Sequence, residues 1–182
     1  MASAQSPPVL ANLNESGRVV IAGRSTPYLI RHLPLDSFPR LPAAVRQELF
    51  RRRCLIPQTY EAERPENVIQ GSFESAGSSD WAVLCSVQGT VSLLVFFGDR
   101  LDQPYELASA PETERLQAHD PTGVLGFNWG IDPATPRQVH DAEAGVSPRP
   151  PLLSHEAVAD SVVEHTTVYH FYSDGAWTLI EP

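Results

Sequence analysis

Histidines that adjoin acidic residues are the first groups in this chain that could do chemistry. An imidazole titrates near neutral pH and can bind zinc, and a carboxylate beside it can orient the ring or supply another ligand. Successive side chains of a strand point to opposite faces, however, so sequence neighbours do not converge on one ion. We therefore favour solvated or locally hydrogen-bonded histidines and keep His140 and Asp141 as candidates for acid–base catalysis. The four pairs are His119–Asp120, His140–Asp141, His155–Glu156 and Glu164–His165.

His170 is the leading single candidate for a catalytic residue. It lies in an apolar and aromatic run that predicts a strand, opposite Leu179 and beside Tyr172 and Trp177. A titratable ring at such a position could belong to the site of a hydrolase-like enzyme. The interpretation that we favour is an ordinary histidine that is hydrogen-bonded within an aromatic sheet.

Signature motifs of well-known catalytic and metal sites are missing from the sequence. It contains no His-Glu-x-x-His, Cys-x-x-Cys, Gly-x-Ser-x-Gly, P-loop or Gly-x-Gly-x-x-Gly pattern. We therefore predict no metal and no cofactor, and we lean against an enzyme. A zinc site assembled from distant loops remains as an alternative.

The two cysteines, Cys54 and Cys85, allow one disulfide within the chain. In an exported protein an even count favours pairing, and we predict this bond with Cα atoms about 4.4–6.8 Å apart. In a cytosolic protein both would be buried thiols. A nucleophilic Cys54 beside the arginines at positions 51–53 is disfavoured, because the C-terminus of a helix raises a thiol pKa and no histidine partner is fixed by spacing.

Three strand-like runs provide the elements that would position these residues. Residues 68–73, 81–87 and 90–97 predict an antiparallel meander, and Gln88-Gly89 predicts the second turn. This turn places Trp81 opposite Phe96. Both faces of the meander are apolar, so we expect other elements to cover both of them.

Short helices and a final hairpin complete the predicted fold. A helix is expected from Pro42 to the residues before Pro57, another over residues 136–144, and a short one near residues 112–117. Asp174-Gly175 predicts a tight hairpin turn that sets Tyr172 opposite Trp177. The predicted class is α+β: an antiparallel sheet with a central three-stranded meander and a C-terminal hairpin, packed by a few short helices. We expect the hairpin to join the main sheet.

Composition and charge limit the classes of partner. The chain has 182 residues and a formal charge of −9, and all its basic residues are arginine. We predict one domain over residues 17–182 after a flexible tail over residues 1–16. Excess negative charge disfavours nucleic acid, and the apolar runs are too short for insertion into a membrane.

Several segments resemble a group of uncharacterised, apparently exported bacterial proteins. The similarity covers roughly residues 40–181 and is carried by Arg-Arg-x-Cys-x-Ile-Pro-Gln from Arg51, Asn-Val-Ile-x-Gly-x-Phe from Asn67, Asp-Trp-Ala-Val-Leu-Cys-Ser from Asp80, and Val-Tyr-His-Phe-Tyr-x-Asp-Gly-x-Trp from Val168. The resemblance implies a periplasmic or extracellular location but no catalytic residue. Ala2-Ser3-Ala4 has the form of a signal-peptidase site, although an ordinary N-terminus and a cytoplasmic location remain alternatives.

These features favour a binding protein over an enzyme. We expect a non-enzymatic exported domain that binds or inhibits another macromolecule, with a protein as partner. The alternative is a hydrolase-like enzyme with a site near His170 or the histidine–acid pairs. A deep pocket that brings titratable side chains within hydrogen-bonding distance would favour the enzyme, and a shallow surface would favour the binder.

Overall fold

The computed structural model describes residues 13–98 and 100–182. Strands account for 46% and helices for 15% of the described residues, so the predicted α+β class is wrong and the fold is mostly β. Most of the predicted tail, including Ala2-Ser3-Ala4, lies outside the described residues, and the first strand begins at Glu15.

The strands of the described residues are β1 (Glu15–Ile21), β2 (Arg24–Leu33), β3 (Ile56–Gln58), β4 (Val68–Gly71), β5 (Asp80–Val87), β6 (Thr90–Phe96), β7 (Tyr105–Pro111), β8 (Leu116–Ala118), β9 (Leu125–Phe127), β10 (Trp129–Ala134), β11 (Ala157–Val162), β12 (Thr167–Ser173) and β13 (Ala176–Ile180). They form three sheets. The first contains β1, β2, β9 and β8 in that order, with β3 paired to β2; β2 and β9 are parallel. The second has the order β4-β5-β6-β7 and the third β10-β11-β12-β13.

The predicted meander is confirmed in its strands and in its register. Trp81 pairs with Phe96, and both residues of the Gln88-Gly89 turn have positive φ, as a tight hairpin requires. One face of the meander packs against Val45 of helix α1 (Ala43–Arg52). The other face lies in a core that all three sheets share, so both faces are covered as expected.

The C-terminal hairpin has the predicted register but a different sheet partner. Tyr172 pairs with Trp177, and Tyr169 pairs with Ile180. β12 joins β11, not the meander, so the expectation that the hairpin extends the main sheet is wrong. Its aromatic face still reaches the meander: Tyr172 and Trp177 pack against Phe97 at centroid distances of 4.8 and 5.8 Å.

Two of the three predicted helices are present. The first is α1, with Pro42 at its N-cap, and the second is α2 (Pro136–Ala142), where Thr135 and Gln138 form a capping box. The prediction of a helix near residues 112–117 is wrong. That segment is a single 3₁₀ turn, Glu112–Glu114, followed by β8, because Glu112 is drawn into the interior by His32 and Ser86.

The predicted disulfide is confirmed. Cys54 and Cys85 are bonded, both are buried, and their Cα atoms lie 5.1 Å apart. Cys54 lies two residues beyond the last residue of α1 and Cys85 lies in β5, so the bond joins the end of the helix to the meander.

We expect reduction of this disulfide to lower the free energy of unfolding by about 3–4 kcal/mol, because it releases a loop of 31 residues in the unfolded chain. Urea unfolding with and without a reducing agent measures the difference. A Cys54→Ala/Cys85→Ala variant is the control, since its unfolding must not respond to the reductant. An unchanged midpoint for the reduced native sequence would contradict the prediction.

Candidate functional site

His170 lies inside the third sheet and not in an open site. Its Nε2 is 3.0 Å from Asp160 Oδ2, and the indole nitrogen of Trp129 donates to Asp160 Oδ1 over 2.7 Å. His170 and Asp160 are both buried. The arrangement matches the favoured interpretation of a hydrogen-bonded histidine. The sequence did not predict that Asp160 would be the partner of His170.

His140 and Asp141 do not act together in the structure. The Asp141 carboxylate points to the surface, where it lies 3.7 Å from Arg137 and 3.5 Å from Arg149. His140 is held by its backbone, because Arg149 also donates to the His140 carbonyl oxygen. Asp141 therefore helps to fix the end of α2 and is not directed at the His140 ring.

A cleft of about 900 Å³ lies between the loop 59–66 and the edge of the third sheet. The loop connects β3 to β4 and forms one wall. Gly130 and Asp132 of β10, Ser161 and Val162 of β11, and the turn that leads to β12 form the other. The cleft is open to solvent, so a large ligand could reach both walls.

Acidic side chains dominate the cleft. Five carboxylates line it, against a single arginine, Arg64, and a single histidine, His165. Concave walls with charge of one sign focus the field and attract ions of the opposite charge. The cleft is therefore suited to a cationic ligand. The five carboxylates are those of Glu61, Glu63, Glu66, Asp132 and Glu164.

Hydrogen bonds hold the acidic loop in one conformation. Gln58 and Glu66 close its base: the Glu66 backbone N–H donates to the Gln58 side chain, and the Gln58 amide donates to the Glu66 carbonyl. The Glu66 carboxylate accepts from the Thr59 backbone and hydroxyl. Arg31 donates to the carbonyl of Ala62 at the tip. A loop fixed in this way loses little entropy when it binds a ligand.

Asn67 attaches the loop to the opposite wall. Its side-chain nitrogen donates to the carbonyls of Pro57 and Trp129, and its oxygen accepts from the N–H of Ile131. The amide therefore bridges β3 and β10, and its own backbone has a φ of 67°. Asparagine tolerates this left-handed conformation better than most residues.

Tyr60 bridges the loop and the turn after β11. Its hydroxyl donates to Glu164 Oε2 over 3.0 Å and accepts from Gln117, and its ring stacks on His119 at 4.5 Å. Burial and this bond to Glu164 raise the pKa of Tyr60 to about 12. The phenol therefore remains a donor at neutral pH and holds the Glu164 carboxylate at the rim.

Asp132 lies on the β10 wall of the cleft. The walls remove part of its hydration, and the charge of Glu66 lies nearby; both effects raise the pKa of Asp132. The Asp132 side chain still contacts solvent, so a bound cation can replace its lost hydration.

Comparison with known proteins adds no family. No family model, curated protein or solved structure matches the chain.

No helix in residues 13–98 and 100–182 combines the length and apolar character that a bilayer crossing requires. The buried disulfide is typical of proteins that fold in oxidising compartments.

Sequence reasoning singled out only Glu164 and His165 among the charged residues that line the cleft. The other carboxylates lie in an irregular loop and on an edge strand, and no spacing connects them. A detectable signal was the density of acids in the segment 61–66, which holds Glu61, Glu63 and Glu66. A second cluster, formed by Glu15, His32 and Glu112, was also missed, because its members are far apart in the sequence.

Proposed function

We propose that this protein is an exported, non-enzymatic domain that binds a cationic segment of another protein in its acidic cleft. The observation that carries the proposal is the set of five carboxylates on two walls that hydrogen bonds hold in place. Lysine and arginine side chains from an extended segment would form ion pairs with both walls. The disulfide and the resemblance to exported proteins support the location.

The size and openness of the cleft favour a macromolecular ligand over a small one. Its walls are polar and it is not closed over, whereas sites for small molecules usually bury most of the ligand surface among apolar side chains. An extended basic peptide can lie along the cleft and exchange water for carboxylate oxygens at several positions.

We expect a fluorescein-labelled peptide of four Gly-Arg repeats to bind, and the triple variant Glu61→Gln/Glu63→Gln/Asp132→Asn to weaken binding by about tenfold or more, since each exposed ion pair contributes modestly. Fluorescence anisotropy measures the affinity.

Binding should also weaken as the pH falls through the raised pKa of Asp132, because the peptide prefers the ionised carboxylate. The weakening should begin above the usual titration range of an aspartate.

The matched control is Glu114→Gln/Asp174→Asn/Glu181→Gln, which removes the same charge from exposed positions outside the cleft. We expect its affinity to stay within about twofold of the native protein. Equal weakening by both triple variants would show attraction to the net charge alone and would contradict a specific site.

A hydrolase-like enzyme is the second candidate, and the raised pKa of Asp132 beside Glu66 is the observation that favours it. A carboxyl group whose pKa is raised by its surroundings can act as a general acid. Mass spectrometry of the peptide after prolonged incubation separates the two functions. An intact peptide agrees with binding, and cleavage that Asp132→Asn abolishes would replace the binding proposal with the enzymatic one.

A further inference from the structure

A buried cluster joins β2 to the 3₁₀ turn after β7, outside the acidic cleft. His32 Nε2 lies 2.6 Å from Glu112 Oε1, and the Ser86 hydroxyl donates to the same oxygen over 2.5 Å. Glu112 is only 1% exposed and His32 only 5%. A carboxylate and an imidazole this deeply buried need partners for all of their polar atoms.

One oxygen of this cluster has no hydrogen-bond donor among the residues that the structure describes. Glu112 Oε2 is buried and accepts no hydrogen bond from the described residues. The Glu15 carboxylate comes from β1 at the surface, and one ligand atom each from Glu15, His32 and Glu112 lie within 4.8 Å of one another. Two carboxylates this close repel each other unless a proton or a cation lies between them.

The tautomer of His32 suits a metal ligand. Its Nδ1 lies 3.0 Å from the carbonyl oxygen of Leu13. A carbonyl only accepts hydrogen bonds, so Nδ1 carries the hydrogen and Nε2 faces the two carboxylates. A histidine that binds a metal almost always donates its other ring N–H in this way, which fixes the ring and the tautomer.

We propose that Glu15, His32 and Glu112 form a site for one Zn²⁺ ion. The ligand atoms are Nε2 of His32, Oε2 of Glu112 and one carboxylate oxygen of Glu15. Bonds of about 2.0–2.2 Å place the ligand atoms of a tetrahedral site about 3.4 Å apart, which the cluster reaches by small side-chain movements. An imidazole with two carboxylates favours zinc over calcium or magnesium, which prefer oxygen ligands alone.

Binding of Zn²⁺ displaces a proton from the cluster. The proton shared by His32 Nε2 and Glu112 Oε1 leaves to solvent, and Zn²⁺ takes the Nε2 lone pair and the unpartnered Oε2. Glu112 Oε1 keeps the bond from Ser86. Three protein ligands leave the fourth position to water, which can enter from the exposed side of Glu15. The ion would tie the start of β1 to β2 and to the turn after β7.

The test is a titration of chelator-treated full-length protein with ZnCl₂, followed by calorimetry and by ¹⁵N NMR of the histidine rings. We expect a single site at which the ¹⁵N resonance of His32 Nε2 shifts, and Glu15→Gln to weaken the affinity at least tenfold. Glu15 is exposed, so this variant leaves the buried pair in place and should fold. Glu114→Gln, an exposed neighbour of Glu112, is the matched control and should stay within twofold.

The NMR reading separates this site from adventitious binding, because the other five histidines report on zinc bound elsewhere. A His32 Nε2 resonance that does not move at saturating zinc would overturn the proposal and leave the proton shared by His32 and Glu112 in place. An affinity that Glu15→Gln does not change would overturn it as well. The result is independent of the peptide experiment, because none of the three residues lines the acidic cleft.

Discussion

Removal of the C-terminal hairpin is expected to abolish folding. A chain that ends at Val168 loses nearly all of β12 and β13, including the buried residues His170 and Phe171. It also loses Tyr172 and Trp177, which pack against Phe97 in the central core. Large buried aromatic residues contribute about 3–5 kcal/mol each, and a typical domain has a net stability of only about 5–15 kcal/mol.

Circular dichroism and the dispersion of amide resonances check this prediction. The shortened chain should show no cooperative thermal transition. A chain that lacks only Glu181 and Pro182, both exposed and beyond β13, is the control and should melt as the native protein does. If the chain that ends at Val168 kept a cooperative melt at a similar temperature, the hairpin would be an appendage with an aromatic face open to a partner.

Replacing Asp80 should cause the second large loss of stability. Asp80 is fully buried at the start of β5, and its carboxylate accepts from the backbone N–H groups of Phe73, Glu74 and Gly98 at 2.7–2.9 Å. The Ser78 hydroxyl donates to it as well. We expect Asp80→Ala to cost about 4–5 kcal/mol, because several donors would lose a charged acceptor at once.

Urea unfolding measures this loss, and two further variants define its cause. Asp80→Asn keeps the shape of the side chain but turns an NH₂ group toward N–H donors. We therefore expect it to cost roughly half or more of the stability that Asp80→Ala costs. Glu74→Gln removes a carboxylate from the same loop, where it pairs with Arg100 at the surface, and should cost less than about 1 kcal/mol. A cost for Asp80→Ala as small as that for Glu74→Gln would refute a central role for Asp80.

Local sequence patterns predicted those elements whose structure depends on residues close to them in the chain. The meander register follows from the Gln88-Gly89 turn and the apolar residues on either side, and the hairpin register follows from Asp174-Gly175 in the same way. Helix α2 has its own capping box at Thr135. In each case the residues that determine the structure lie within a few positions of it.

The fold class was wrong because several strands depend on distant partners. β8 and β9 have three residues each, and β9 pairs in parallel with β2 far back in the chain. Glu112 begins a segment with helix-forming residues, yet its contacts with His32 and Ser86 override that local preference. The same long separations hid both the acidic cleft and the cluster of Glu15, His32 and Glu112.

The parallel pairing of β2 with β9 limits the order in which the chain can fold. Tyr28 of β2 lies opposite Leu125 of β9, roughly 100 residues away along the chain. β1 and β2 can pair as soon as they leave the ribosome, but they must wait for β9 before their sheet is complete. Leu29 and Ile21 stay exposed even in the finished fold. During that wait the hairpin of β1 and β2 is an open edge to which a second nascent copy could add, so a chaperone that covers it should raise the yield of monomer.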